Sequence, residues 1–308
     1  MRQVQAAWRQ RNANRSCQQS RFRLPISRMS KVLTRNVALF GGMIVAGLVC
    51  ARAAPFLSST RGEHGPTIMA AERPVVAALA LMLALAVTTA LACVIGRFVN
   101  AAVGLFVLGA GVFVLDDRLA GIRELVYAHP GRSTLFVMGI ETLVLAIVAL
   151  AMVLIVFRLT GGFHDVEPDV HGNRPHWLTS DAALKSAASG LLIIPAVWLI
   201  AQSPLKGQAI AAVFIGAMLA GLVGRLLAPH VQPILVFVSP MIFGALGQIA
   251  AAALTRMPLD EAYINGSLNA LARPMPLDYL AGSLLGVSFG LGWAKSFLHH
   301  EEVVAAQA

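Results

Sequence analysis

The sequence predicts an all-α, polytopic transmembrane helical bundle of about eight spans, or seven if residues 99–115 do not cross. Three observations predict it. First, 57% of the 308 residues are hydrophobic and only 13% are charged, against about 25% charged in soluble domains; mean hydropathy is +0.72. Second, the apolar residues fall in runs of about 20, the length a helix needs to cross a hydrocarbon core of roughly 30 Å. Third, the runs are continuous rather than alternating. Lipid offers the backbone no hydrogen-bond partner, so a spanning segment must be a helix or part of a closed barrel, and barrel strands alternate.

The elements follow in order. Residues 1–35 hold nine Lys or Arg and no acid. Beside a membrane helix this reads as a cytoplasmic tail without structure of its own, facing anionic lipid rather than nucleic acid. Met29 begins Met29-Ser30-Lys31 and is an alternative start. The membrane domain is expected over 36–297, with spans near 36–54, 75–97, 99–115, 134–157, 186–202, 208–228, 232–254 and 278–297. The first span resembles a signal peptide, with Ala51-Arg52-Ala53 as a cleavage-like pattern, and is expected to be retained. The third is short and carries Gly104, Gly109 and Gly111, so it either crosses or dips and returns. With eight spans and the N-terminus inside, 15 Lys or Arg fall inside and 9 outside; without the third crossing the division is 16 to 8. The charge rule does not separate the two. Residues 298–308 read as a polar tail.

Arg outnumbers Lys 20 to 4 and Ala and Gly are abundant, which suggests a bacterial origin and hence the cytoplasmic (inner) membrane. The cysteines Cys17, Cys50 and Cys93 are scattered and make neither a disulfide framework nor a metal site.

Few residues could carry chemistry. Glu141 lies inside an apolar run, in Gly139-Ile140-Glu141-Thr142-Leu143. A carboxylate at such depth is costly unless paired, hydrated or protonated, and marks an ion or proton path by default. No second intramembrane charge is visible beside it; Thr142, Thr88, Thr89 and Gln248 are the neutral partners on offer. Pro195 and Pro240 fall inside two spans, where each removes a backbone hydrogen bond and frees a carbonyl. Such breaks kink helices or line transport sites, and Ser239 stands ready to satisfy a freed group. Glu141, Pro195, Ser239, Pro240 and Gln248 are therefore the transport candidates. Gly282, Gly286 and Gly290 recur every fourth residue and make a flat face for a neighbouring helix, from this chain or another.

The 158–185 connection holds His164, Asp165, Glu167, Asp169, His171 and His176 at spacings that match no metal motif. Glu261-Ala262-Tyr263-Ile264-Asn265-Gly266 resembles the coupling loop of ABC importer permeases, but its glycine comes one residue early. No His-Glu-x-x-His, nucleophile elbow, phosphate loop or dinucleotide fingerprint occurs. The expectation is a non-catalytic structural or accessory membrane subunit, with no metal or other cofactor. Its partners would be the lipid bilayer and other membrane subunits or a second copy, not nucleic acid. The alternative is a small-solute or proton-coupled transporter using Glu141.

Overall fold

The computed structural model of the chain describes residues 26–163, 166 and 178–305. The chain forms two units, residues 1–40 and residues 41–308. In the first, the described residues 26–40 are helical. They belong to α1 (Ile26–Ala51), which begins ten residues before the expected span.

The second unit is also helical. Among the described residues there is no β-strand, only two isolated bridges, Ser58 with His64 and Ser59 with Ala71. After α1 come α2 (Pro74–Phe98), α3 (Ala101–Asp117), a short α4 (Ile122–Ala128) and α5 (Ser133–Thr160). Then follow α6 (Asp181–Ala188), α7 (Ile193–Ile200), α8 (Lys206–Leu227), α9 (Ser239–Leu254), a short α10 (Leu259–Ile264) and α11 (Pro276–Ala305). Among the described residues, six stretches are helical, long and apolar enough to cross a membrane: Arg35–Leu57, Pro74–Phe98, Ser133–Thr160, Asp181–Ile200, Lys206–Leu227 and Leu235–Leu254. The chain is thus an all-α protein with the helices of a multi-pass membrane protein.

Local sequence explains several boundaries. Proline in the first turn opens α2, where its missing N–H costs nothing. Asn100 caps α3 by accepting from Val103 N at 2.9 Å. Gly161, at φ 84°, ends α5 in a conformation open to glycine and costly to other residues.

The short third span is explained by its position. Eleven of the 17 residues of α3 are buried. Its three glycines each meet a different neighbour: a Cβ on Gly104 would lie 2.4 Å from the Ala92 carbonyl of α2, on Gly109 2.9 Å from Leu284 of α11, and on Gly111 3.0 Å from Ala46 of α1. These residues are small because helices crowd α3, not because the segment turns back.

The loops gather at two ends. At one, Ala120 N donates to His64 O, Leu259 N to Pro130 O, and Arg273 Nη1 to Ala201 O at 2.8 Å. The segments 58–73, 118–132, 201–205 and 255–275 therefore meet. At the other, Phe163 N donates to Gln232 Oε1 at 3.0 Å, and Gly96 touches Thr160.

Candidate functional site: buried charge beneath one loop layer

Glu141 is the ninth residue of α5, about 12 Å along the helix from Ser133 at 1.5 Å per residue. It is buried. Its partners are backbone amides: Ile68 N donates to Oε1 at 2.8 Å and Met69 N to Oε2 at 3.2 Å. The 58–73 segment folds down over α5 to reach it. That segment is held by Gly65 N to Leu57 O and Glu72 N to Ser58 O, and by Ser59 Oγ donating to Glu124 Oε1 at 3.1 Å. Arg61 adds an ion pair to Glu124 at 3.8 Å, half-exposed and so of little energetic weight.

Beside Glu141 a pocket of about 150 Å³ runs along one face of α5, from Ser133 and Thr134 past Val137 and Met138 to Glu141, with Thr67, Met69, Ala70, Leu125 and His129 completing the wall.

The other expected residues fall elsewhere. The Thr142 hydroxyl lies 2.7 Å from Gln248 Oε1, and Gln248 Nε2 donates to Pro274 O at 2.8 Å. Gln248 thus ties α5 and α9 to the segment before α11. Pro240 does not break a helix from within: it stands in the first turn of α9, after a 3-10 turn over Leu235–Phe237. Pro195 sits in α7 after a second 3-10 turn, Ser189–Leu192, which divides the expected 186–202 span. The two interruptions face each other, since a Cβ on Gly190 would meet Ser239 Oγ at 2.4 Å. Ser239 Oγ reaches Val236 O at 3.5 Å. Gly282, Gly286 and Gly290 lie against Val213, Phe214, Ala217, Met218 and Leu222 of α8. His164, Asp165, Glu167, Asp169, His171, His176 and Cys17 lie outside the described residues, among which no group of three His, Cys, Asp or Glu could hold a metal.

A second site was not anticipated. Lys206, the first residue of α8, donates through Nζ to Asp116 Oδ1 at 2.8 Å. The same nitrogen is 3.2 Å from Asp278 Oδ1 and 3.4 Å from the Ala120 carbonyl. Asp116 and Asp278 are fully or almost fully buried, and the lysine side chain is 15% exposed. Asp278 Oδ2 accepts from Met275 N at 2.6 Å, the backward reach of a capping-box residue at the third position of α11. Among the described residues, Asp278 Oδ1, despite its closeness to Nζ, lacks a properly directed hydrogen bond, and Asp116 Oδ2 has no hydrogen-bond partner. Nor have the Tyr279 hydroxyl and Ser283 Oγ, one and five residues further along α11.

Two of these three charges oppose their helix dipoles. Asp116 is in the last turn of α3, where carbonyls already concentrate negative charge. Lys206 opens α8, where amides concentrate positive charge. Each placement forfeits about 0.3–1 kcal/mol. Only Asp278, at a helix start, is favourably placed. With all three ionised, the cluster carries a formal charge of −1, from two carboxylates and one ammonium. A buried charge left uncompensated costs several kcal/mol. The arrangement therefore has room, electrostatically, for one more positive charge. Buried, imperfectly satisfied groups that break local rules occur at functional or strained sites.

No signal in a single sequence joins residues 90 positions apart. What was visible is that each of the three borders an apolar run. Comparison with family models, with curated proteins and with solved structures gave no match.

Proposed function

We propose that this chain is an eight-span protein of the bacterial cytoplasmic membrane that exchanges a small cation, the proton first, at Asp116, Lys206 and Asp278. One observation carries the reading: two buried carboxylates share one ammonium, and among the described residues Asp116 Oδ2 accepts no hydrogen bond. Ionisable groups buried inside a membrane bundle are functional candidates, and these three are buried although each lies at a helix end. Lys206 is the outermost of the three and is tethered to a helix end. An arriving cation, or a proton on one carboxylate, would loosen its hold on the pair. Lys206 would then act as a built-in counter-ion that the transported ion replaces and that returns on release.

Eight crossings, with α3 and α11 added to the six stretches long and apolar enough to cross, are supported by the alternation of loop ends. The basic N-terminal flank supports an inside start.

The reading as an accessory subunit drew on the glycine face of α11. Within this chain that face is covered by α8, so it no longer calls for a partner. Co-purification of a stoichiometric membrane partner in mild detergent would restore that reading.

The test is flux. The purified chain is reconstituted in liposomes enclosing a pH-sensitive dye, and H⁺, Na⁺ and K⁺ gradients are imposed in turn. The expected result is dissipation of at least one gradient, reduced at least tenfold in Asp116→Asn and in Asp278→Asn. Flux equal to that of empty liposomes for all three ions would overturn the proposal.

A further inference from the structure

The geometry points to the pocket along α5 as a binding site for a primary alkylammonium group, with Glu141 as its counter-ion. This goes beyond the transport reading and does not depend on it. Glu141 has two amide partners and, among the described residues, no ion pair. A carboxylate offers about four lone-pair positions, so acceptor capacity remains. The lining is graded. Along α5 the lining runs from the polar Ser133 and Thr134, with His129, past the apolar Val137 and Met138, with Leu125, to Glu141.

That order fits an ammonium on a short carbon arm. Its three N–H donors would find Glu141 and Thr67 Oγ1, and its methylenes would lie on Val137 and Met138. A quaternary ammonium fits less well. It has no N–H to give, and the lining contains no Trp, Tyr or Phe face of the kind that holds such cations. Size agrees: a dry cavity of about 150 Å³ accommodates benzene, so four to six heavy atoms is the scale. Two sources share this chemistry. One is a free alkylamine; the other is the ethanolamine headgroup of a phospholipid, which resides at the depth where helices emerge.

The experiment uses the full chain in detergent, stripped of lipid, with thermal unfolding followed by tryptophan fluorescence. Butylammonium chloride is titrated, and tetramethylammonium chloride is the ionic-strength control. The expected result is a saturable rise in Tm with butylammonium alone. Glu141→Gln should weaken the apparent affinity at least tenfold. Val137→Trp should abolish the response by filling the groove, while leaving Glu141 and its bonds to Ile68 and Met69 in place. No saturable rise in the native chain, or a rise unchanged in both variants, would overturn the site. Native mass spectrometry from vesicles of equal phosphatidylethanolamine and phosphatidylcholine separates the sources. Retained ethanolamine lipid that butylammonium displaces assigns the lipid headgroup; a Tm response without retained lipid assigns the free amine. None of these readouts requires ion flux, so this site stands or falls apart from the Asp116–Lys206–Asp278 cluster.

Discussion

At the scale of single residues, the two buried anionic sites differ in how their charge is met, and the difference is measurable. Lys206 serves two carboxylates at once. Lys206→Met leaves both buried without a cation, and breaking a buried pair from one side costs about 3–5 kcal/mol. A large fall in Tm is expected. Adding Asp116→Asn to Lys206→Met should recover part of it, because one of the stranded charges is removed. Additive losses in the double variant would mean that the three side chains are not a unit. Glu141 depends instead on amides. Glu141→Ala should speed hydrogen exchange at Ile68 and Met69, whereas Glu141→Gln, which keeps one acceptor, should fall between. Equal exchange in all three proteins would show that the carboxylate does not hold the 58–73 segment. Glu141 was legible in the sequence because it interrupts an apolar run. Its partners were not, because backbone amides carry no residue identity. Asp116, Lys206 and Asp278 were illegible as a site, because each at a helix end looks like an ordinary flanking charge.

At the scale of elements, apolar length reads where a helix lies but not whether it is continuous. The expected spans 134–157 and 208–228 correspond to α5 (Ser133–Thr160) and α8 (Lys206–Leu227). The 3-10 turns at Ser189–Leu192 and Leu235–Phe237 are as apolar as the helices they interrupt, so hydropathy passes over them. The short helices α4 and α10 lie in segments expected to be loops, since seven and six residues are too few to show a period. The glycine stripe on α11 was legible, because small residues every fourth position serve close approach. A Cβ on Gly286 would stand 2.4 Å from Phe214 O, and on Gly290 2.1 Å from Met218 O. Both obstacles are backbone and cannot turn aside. Gly286→Ala should therefore destabilise by about 1–3 kcal/mol, as overpacking does. Among the described residues a Cβ on Gly292 would meet nothing within 4 Å, and Gly292→Ala should be neutral or gain up to about 1 kcal/mol from helix propensity. Comparing the two Tm values in one detergent checks the claim; equal effects would mean that α8 and α11 do not pack this closely.

At the scale of the whole molecule, the open question in the sequence was whether the short third span crosses, because every later helix reverses if it does not. Charge counting could not decide, since Lys and Arg divide nearly alike either way. Contacts between distant loops bear on it directly. If α3 dipped and returned, the segment after Asp117 would emerge beside the segment before Ala101, near Gly96 and Thr160. Instead Ala120 is bonded to His64, in the loop at the opposite end of α2, and it also meets Lys206. The segment 118–132 then shares an end with 58–73, 201–205 and 255–275, and α3 runs the full distance between ends. About 25 Å of helix from 17 residues is shorter than the usual crossing, but α3 is largely enclosed by α2, α11 and other helices and need not match lipid thickness. The expected topology has the N-terminus, the 161–180 connection and the C-terminus on the cytoplasmic side, and the 58–73 and 255–275 segments outside. Reporters active on only one side of the membrane, inserted separately at 161–180 and within 260–266, check it. Because the loop contacts keep 58–73 and 118–132 at one end, an external signal from 161–180 would invert the molecule and put the N-terminus outside. It would also place Glu141 and the Asp116–Lys206–Asp278 cluster on the cytoplasmic side, so that ions would reach the cluster from within the cell.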